Sequence, residues 1–304
     1  MSGPDPRSLE SAWRALHFAR RAADQAPRAA EHAAEAAARQ ERLAGAGTSS
    51  APVHVRIAAM HRRSEAAQRA AERMHLNFAR RLAGWSVRED ADQLLRPVLM
   101  KAVANTAGWR GAVLSLNDAT GAEKLVAASD ATARRAHEIE VTLAEGPSRD
   151  AGLGRVALAR GAELERRWPR YGPAVAELGV RAVAAVPVDL GCTYLGGALT
   201  VIGATPPTWT ANACGLCEVA EALAHTVLQA PDLVVDDGAG VPGLAVFETQ
   251  DFQPALHQAA GLLHAREGWD IDSAVALIRA HAFAEDRPVT EVAAEVCRRG
   301  RLEP

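Results

Sequence analysis

Lysine is almost absent from this sequence, since only Lys101 and Lys124 contribute to its 34 basic residues and the others are arginines. Aromatic residues make up 4% of the chain, and much of the apolar content is alanine. This bias is typical of a GC-rich bacterial genome. No stretch approaches the ~20 consecutive apolar residues that a membrane-spanning helix needs. The first residues, MSGPDPRSLE, contain no basic segment followed by an apolar run. We therefore expect a cytoplasmic protein with no membrane partner.

Cysteine is also scarce. The four cysteines, at positions 192, 214, 217 and 297, are too few and too irregularly spaced for a disulfide framework. Cys214 and Cys217 form a lone CxxC, and a metal site there would need two further ligands. We interpret them as packing residues and expect no metal site and no evident cofactor. Gly152 and Gly154 lack the third glycine of a dinucleotide-binding loop. No Ser/His/Asp arrangement is visible, so we expect no catalytic residues and no enzyme.

Charge of one sign does not dominate the chain as a whole. The formal net charge is −3, but residues 1–84 contain 14 Arg and 8 acidic residues, whereas residues 247–304 contain 6 Arg and 10 acidic residues. Contacts to phosphates usually dominate affinity for nucleic acid. The acidic composition of the last 58 residues therefore weakens the electrostatic attraction expected of a nucleic-acid site there.

The N-terminal part of the chain has helical composition. Residues 8–44 form a predicted helix with a break or kink at Pro27, and residues 45–52, rich in Gly and Ser, form a flexible break. A second helix is predicted over residues 53–82, ending at Gly84, and a third over residues 87–107 after a cap at Ser86. The second helix carries apolar residues at alternating three- and four-residue steps, at Ile57, Met60, Ala67, Ala71, Met74 and Phe78. This spacing indicates either packing within the chain or a dimeric coiled coil.

From Trp109 the apolar period changes from 3.6 to 2, which is typical of strands. Strands are predicted over residues 111–116, 124–128, 139–143, 180–188 and 194–202. A turn is expected at 117–121, a short helical segment over 147–159 and a long closing helix over 211–229. This order predicts an α+β domain with an antiparallel sheet covered by helices.

Helical spacing returns after a linker rich in Asp, Gly and Pro. Three short helices are predicted, over residues 252–267, from Asp270 or Asp272 onward, and from Pro288 onward. The second should bury Ala274, Leu277, Ile278 and Ala282, and the third Val289, Val292, Ala293 and Val296. The predicted organisation is a helical region (1–50), a long helix (51–84), a sheet domain (85–230), a linker (231–247) and a three-helix bundle (248–304).

The C-terminal stretch resembles the ANTAR family of transcription antitermination domains. The resemblance is carried by residues 258–263 (QAAGLL), 274–282 (AVALIRAHA) and 288–293 (PVTEVA), in the order and spacing of that family. One departure is Ala260, where many ANTAR sequences have lysine. The resemblance spans nearly all of residues 250–301.

The middle of the chain resembles the GAF domains that precede ANTAR domains in actinobacterial proteins. The residues that carry this resemblance are 145–151 (EGPSRDA), 167–169 (RWP), 179–188 (GVRAVAAVPV) and 195–199 (LGGAL). GAF domains usually place a ligand between the sheet and the covering helices. The resemblance therefore implies an unidentified small-molecule ligand, with Trp109, Arg149, Trp168 and Tyr171 as candidate pocket residues. Both tryptophans are equally compatible with a role in core packing. Glu145 and Arg149 could also pair with each other rather than with a ligand.

Together the two resemblances imply a homodimeric, signal-responsive antitermination regulator that binds paired RNA hairpins in a leader transcript. Small residues at Ala259, Ala260 and Gly261 would let RNA approach the first helix closely, and Gln258 offers a donor and an acceptor to a base edge. The candidate RNA-binding residues are Gln258, Ala259, Gly261, Arg266, Arg279, Arg287, Arg298 and Arg299. Arg301 is a further candidate for phosphate contact.

Other functions remain open at this stage. The main alternative is a non-catalytic signalling module whose helical arms and C-terminal bundle dock protein partners. A helix-turn-helix DNA-binding protein is disfavoured, because a recognition helix is usually basic at its start and the third helix carries Glu291 there. His54, His61 and His75 on the second N-terminal helix are interpreted as a solvated face rather than as metal ligands.

Overall fold

A computed structural model of the chain describes residues 6–46, 49–86, 98–118, 123–192, 195–204, 212–229, 234–236, 242–244, 254–285 and 287–302. The fold class is α+β, as predicted. The chain divides into two compact units, Met1–Gly108 with Thr210–Phe247, and Trp109–Trp209 with Glu248–Pro304. Among the described residues, no helix combines the length and hydrophobicity that a membrane span requires.

Helices and strands alternate in the middle of the chain and helices dominate its ends. The helices are α1 (Pro6–Gly45), α2 (Ala51–Ser86), α3 (Leu99–Thr106), α4 (Ala131–Leu143), α5 (Pro147–Gly152), α6 (Ala162–Arg167), α7 (Tyr171–Glu177), α8 (Asn212–Leu228), α9 (Pro254–Glu267), α10 (Ile271–Ala284) and α11 (Val289–Arg299). The strands are β1 (Gly111–Asp118), β2 (Glu123–Ala128), β3 (Ala157–Arg160), β4 (Ala182–Cys192), β5 (Leu195–Gly203), β6 (Val234–Asp236) and β7 (Pro242–Leu244).

The first unit is built on an antiparallel pair of long helices, α1 and α2. Alanine forms the seam of α1 at a seven-residue repeat, with buried residues at 12, 19, 26 and 33 and at 23, 30 and 37. Ala12 packs with Trp85, and the side chains of Gln40 and His54 meet at 2.7 Å near the other end of the pair. Because alanine is small, this seam lets the two helix backbones approach closely.

The structure of α1 and α2 can be compared with the helix bounds, the break at Pro27 and the apolar seam that were predicted for them. The helix α1 continues unbroken through Pro27, although Pro lacks the backbone donor of a helix interior. The apolar seam of α2 packs within the chain, where α1 and α8 contact it, although Met60 is 70% exposed. The helix also extends past Gly84 to Ser86, so Ser86 ends α2. Of the helix predicted over residues 87–107 after a cap at Ser86, the structure describes α3 (Leu99–Thr106), and residues 87–97 lie outside the described residues.

His75 is buried in the first unit rather than part of a solvated face. Its ring packs edge-on against Phe18 at 5.6 Å, and its Nε2 lies 3.2 Å from the Thr226 hydroxyl of α8. Burial lowers the pKa of His75 to about 4, so the ring is neutral. The expectation of a solvated histidine face on α2 is therefore wrong for His75.

The second unit contains a five-stranded antiparallel sheet in the order β2-β1-β5-β4-β3. One face is covered by α4 to α7, whose apolar side chains pack with Val113, Val126, Val183 and Ile202. We call residues 109–209 the sheet domain. The predicted strands over 111–116, 124–128, 180–188 and 194–202 correspond to β1, β2, β4 and β5. The predicted turn is described only at residues 117 and 118, which belong to β1.

The strand predicted over residues 139–143 is wrong, because these residues end α4. Asp130 caps this helix through its side chain, which accepts a hydrogen bond from the Ala133 amide at 3.0 Å. The buried residues of α4 follow helical spacing, at Ala133, Ala136, His137, Glu140 and Leu143. The predicted helical segment over 147–159 is also shorter than expected, since α5 ends at Gly152 and β3 begins at Ala157.

Helices α9, α10 and α11 pack on one another as a three-helix bundle, which we call the C-terminal bundle. Its core matches the predicted helical spacing, except that Leu277 is 40% exposed rather than buried. The buried core residues are Leu256, Ala259, Ala260, Leu263, Ala274, Ile278, Ala282, Val289, Val292, Ala293 and Val296. The segment predicted as a linker contains the short antiparallel pair β6 and β7.

Neighbouring glycines in β5 test the packing of the sheet. A Cβ at Gly197 would overlap the Ser115 carbonyl oxygen and the Leu116 side chain, whereas a Cβ at Gly196 would meet nothing within 4 Å. We expect Gly197→Ala to lower the free energy of unfolding by about 1–3 kcal/mol, because overpacking displaces backbone. Gly196→Ala, the matched control, should be near neutral in urea unfolding. Equal effects of the two substitutions would contradict this packing.

Candidate functional site

The small residues of α9 do not form an approach surface. Ala259 and Ala260 are fully buried in the core of the C-terminal bundle. They share a face with Leu256 and Leu263, which packs toward α10 and α11. The expectation that these alanines let RNA approach the helix is therefore wrong, because they are used to bring the three helices together.

Another face of α9 is open. Gln258 is exposed, Gly261 is half-buried, and Arg266 is exposed near the end of the helix. Gln258 and Gly261 are three residues apart and therefore lie on one side of α9, whereas Arg266 follows Gly261 by five residues and lies about 140° around the helix from it. A Cβ at Gly261 would meet nothing within 4 Å, so the surface at that position is open. Two of the predicted RNA-binding residues, Gln258 and Gly261, therefore lie together on α9, and Arg266 lies near its C-terminal end.

The end of α11 lies near the C-terminal end of α9. The Arg266 guanidinium donates a hydrogen bond to the Gly300 carbonyl oxygen at 3.3 Å, directly after α11 ends at Arg299. Arg298 and Arg299 are exposed in that last turn, and Arg299 also pairs with Glu295 at 2.6 Å. Cations at a helix C-terminus also compensate the helix dipole, so this placement favours the fold as well. We call Gln258, Gly261, Arg266, Arg298 and Arg299 the α9–α11 surface.

Arg287 is held by carboxylates instead. Its guanidinium lies 2.8 Å from Glu285 and 2.7 Å from Glu295, with Glu291 at 4.0 Å. Hydrogen bonds that the guanidinium donates to the carboxylates of Glu295 and Glu285 raise the pKa of Arg287 above its usual value. To bind a phosphate, Arg287 would have to leave these partners. Because its guanidinium is engaged by these carboxylates, we do not include Arg287 in the α9–α11 surface.

Arg279 faces the sheet domain. Its side chain is half-buried, and its Nε has no hydrogen-bond partner among the described residues. Burial and the nearby positive charge of Arg149 lower the pKa of Arg279, while the Glu123 carboxylate acts in the opposite direction. Of the predicted RNA-binding residues, Arg279 is the one that the structure brings to the contact between the bundle and the sheet domain.

A buried group of charged side chains lies at the same contact and was not anticipated from the sequence. It consists of Glu123 on β2 and of His137 and Glu140 on α4. The Nε2 atom of His137 lies 2.7 Å from the Glu123 Oε1 atom, and both side chains are largely buried. Burial alone would lower the pKa of His137, but the carboxylates of Glu123, Glu140 and Glu138 together outweigh it and raise the pKa to about 9. Burial raises the pKa of Glu140, whose Oε1 accepts a hydrogen bond from the Arg149 amide at 2.9 Å. The i, i+3 spacing of His137 and Glu140 was the sequence signal for this group. It was missed because residues 139–143 were predicted as a strand.

The four candidate ligand-pocket residues do not share one environment. Trp168 and Tyr171 are buried in the core of the sheet domain, with ring centroids 6.0 Å apart. Trp109 is buried outside that cluster, and its Nε1 has no partner among the described residues. Arg149 is exposed on α5. The pair of aromatic rings is thus core packing, and the ligand itself stays a prediction.

Glu145 has a structural partner other than Arg149. Its Oε1 accepts hydrogen bonds from the backbone amides of Arg170 and Tyr171, at 2.8 Å and 3.0 Å, at the start of α7. It therefore acts as an N-terminal cap, which satisfies helix donors that have no partner within the helix.

No cluster of possible metal ligands is found in the described part of the chain. Within the described ranges, no group of three His, Cys, Asp or Glu side chains is arranged to hold a metal ion. Cys217 and Cys297 are not disulfide-bonded, and the side chains of Cys192 and Cys214 lie outside the described residues.

Comparison with known proteins adds no assignment. No model of a known protein family matches the chain. No curated protein matches its sequence. The interpretation of the site therefore depends on its residues and on their geometry.

The His137–Glu123 pair predicts a pH dependence of stability. The pKa of His137 is raised from 6.5 to about 9, so its stabilising contribution is complete below about pH 6.5 and is lost as the pH rises through 9. Urea unfolding should therefore show the free energy of unfolding falling across this range. The variant His137→Gln should show a flatter profile, because glutamine does not titrate. Parallel profiles for the two proteins would argue against a charged, buried His137.

Proposed function

We propose that the chain is a signal-responsive regulator whose C-terminal bundle binds RNA hairpins, in the manner of ANTAR domains, under the control of a GAF-like sheet domain. The observation that carries the proposal is the α9–α11 surface. It combines an exposed amide at Gln258, an open backbone position at Gly261 and three arginines near the end of α11. RNA loops are bound by this kind of combination, with base edges on amides and phosphates on arginines.

The acidic residues of the bundle oppose RNA binding less strongly than their number suggests. Glu285 and Glu295 form ion pairs with Arg287, and Glu295 also pairs with Arg299. Their charges are thus partly compensated within the bundle, while Arg298 and Arg266 remain exposed. A modest positive potential is left at the α11 end of the surface, which supports RNA contact with a small number of phosphates.

The sheet domain supports the sensory part of the proposal by its architecture. Its antiparallel sheet has helices on one face, and a ligand between the sheet and its covering helices is what the resemblance to GAF domains implies. The proposal includes a homodimer, because two hairpins in one leader transcript require two bundles. A protein-docking module is the alternative outcome of the binding experiment below.

Gly261→Asp tests the α9–α11 surface. The substitution places a negative charge where phosphates would approach, and it leaves the helix intact because the position is open and Asp has a higher helix propensity than Gly. We expect it to abolish binding of the full-length protein to an RNA with two adjacent hairpins, measured by fluorescence anisotropy. A matched duplex DNA, titrated in parallel, should bind more weakly than the RNA.

The control for this variant is Ser273→Asp. It adds the same charge to the same bundle, at an exposed position in the first turn of α10 that lies outside the α9–α11 surface. An acidic residue is also favourable in the first turn of a helix. Ser273→Asp should bind RNA like the unchanged protein. If Gly261→Asp also retained full affinity, the proposed surface would be wrong, and absence of RNA binding in every protein would favour the docking module.

A further inference from the structure

The outward face of α2 carries a line of arginines. Arg80 follows the buried seam residue Phe78 by two positions, which places it about 200° around the helix from the seam, and Arg73 has the same relation to Ala71. Steps of seven, four and seven residues keep the members of this line within about 40° of one another, and all of them are exposed. They are Arg62, Arg69, Arg73 and Arg80, which we call the α2 stripe. The stripe is about 27 Å long, since each residue of a helix adds about 1.5 Å.

One half of the α2 stripe is engaged by a carboxylate and the other half is not. Glu65 lies 3.0 Å from Arg62 and 2.6 Å from Arg69. Arg73 and Arg80 make no ion pair with a described residue. The helix contains seven arginines and two glutamates, so its own acidic residues do not balance the positive charge of this second half.

The composition of the α2 stripe favours a chain of phosphates as its partner. Between the ends of the stripe, Leu76 is the exposed large apolar residue, whereas protein interfaces usually have an apolar core. A second copy of the chain on this face would bring arginines against arginines, which is repulsive. A membrane surface would require the apolar face of α2, and α1 and α8 cover that face. Phosphates supply the complementary charge, and the arginine guanidinium binds them in a bidentate geometry.

We infer that the α2 stripe binds the phosphate backbone of a base-paired RNA stem. A duplex carries closely spaced negative charge along its length, so a straight line of arginines contacts its phosphates without reading any base. The inference rests on the proposed function for the identity of the nucleic acid, and it adds a stem contact to the loop contacts of the α9–α11 surface. Such a stripe binds weakly and independently of sequence, so binding specific to hairpin loops still depends on the α9–α11 surface.

A loop-free RNA duplex, titrated with the full-length protein in a salt series, tests the α2 stripe apart from the bundle. The variant Arg73→Gln/Arg80→Gln removes two exposed charges and keeps good helix formers at both positions. The slope of log K against log salt concentration should become shallower by about 1.4 to 1.8, at about 0.7 to 0.9 for each phosphate contact. The affinity near about 0.1 M salt should fall roughly 25- to 60-fold.

The matched control for this variant is Arg28→Gln/Arg39→Gln. It removes the same charge from exposed positions of α1, each two residues after a seam residue, Ala26 or Ala37, and thus on the side of α1 opposite its seam. This control should keep the slope of the unchanged protein, because its arginines lie outside the α2 stripe.

Glu65→Gln should have the opposite effect. It releases Arg69, whereas Arg62 keeps its contact with Glu41 of α1 at 2.9 Å. One more arginine is then free for a phosphate, so the slope should steepen by about 0.7 to 0.9 and the affinity near about 0.1 M salt should rise roughly 5- to 8-fold. Glu35→Gln, at an exposed position of α1, removes the same charge away from the stripe and should bind like the unchanged protein.

Absence of duplex binding would overturn the inference, as would equal losses in the two double variants or equal gains in the two glutamate variants. Tighter binding to polyglutamate or to vesicles with anionic lipid than to the duplex, lost in Arg73→Gln/Arg80→Gln, would overturn it in favour of another partner. Gly261→Asp should bind the duplex like the unchanged protein, because the duplex has no loop. Duplex binding without loop-dependent binding to the RNA with two hairpins would overturn the proposed function and leave the α2 stripe as a nucleic-acid surface.

Discussion

The second unit depends on the buried ion pair between Glu123 and His137. It connects the edge strand β2 to the middle of α4, and burial of either charge alone would be costly. With the helix held in this position, Ala133, Ala136 and Leu143 cover the sheet, while Val141 is offered to the C-terminal bundle. The same pair thus orders the core of the sheet domain and the surface on which the bundle lies.

The fold could be predicted wherever the hydrophobic period was long enough to be unambiguous. The cores of α10 and α11 and the strands β4 and β5 followed directly from the spacing of apolar residues. The helix α4 could not be predicted in this way, because Ile139, Val141 and Leu143 alternate over only five residues. Asp130 caps α4 nine residues earlier, and that contact depends on the folded backbone.

The site was less accessible to sequence reasoning than the fold. The small side chain of alanine lets either a ligand or a neighbouring helix approach closely. At Ala259 and Ala260 the neighbouring helices of the bundle make this approach. Gln258 could be predicted to point outward, because a long amide is rarely buried. The half-buried position of Arg279 could not, because it depends on the packing of α10 on α4, which lies more than 100 residues earlier in the chain.

The arrangement of the arginines also bears on how an acidic bundle would bind RNA under the proposed function. Arg287 and Arg299 form ion pairs with carboxylates within the bundle, and Arg279 is half-buried, with an Nε that has no hydrogen-bond partner among the described residues. Under the proposed function, few positive charges are left to attract phosphates, so most of the affinity for RNA would come from the shape of the surface at Gly261 and from the amide of Gln258.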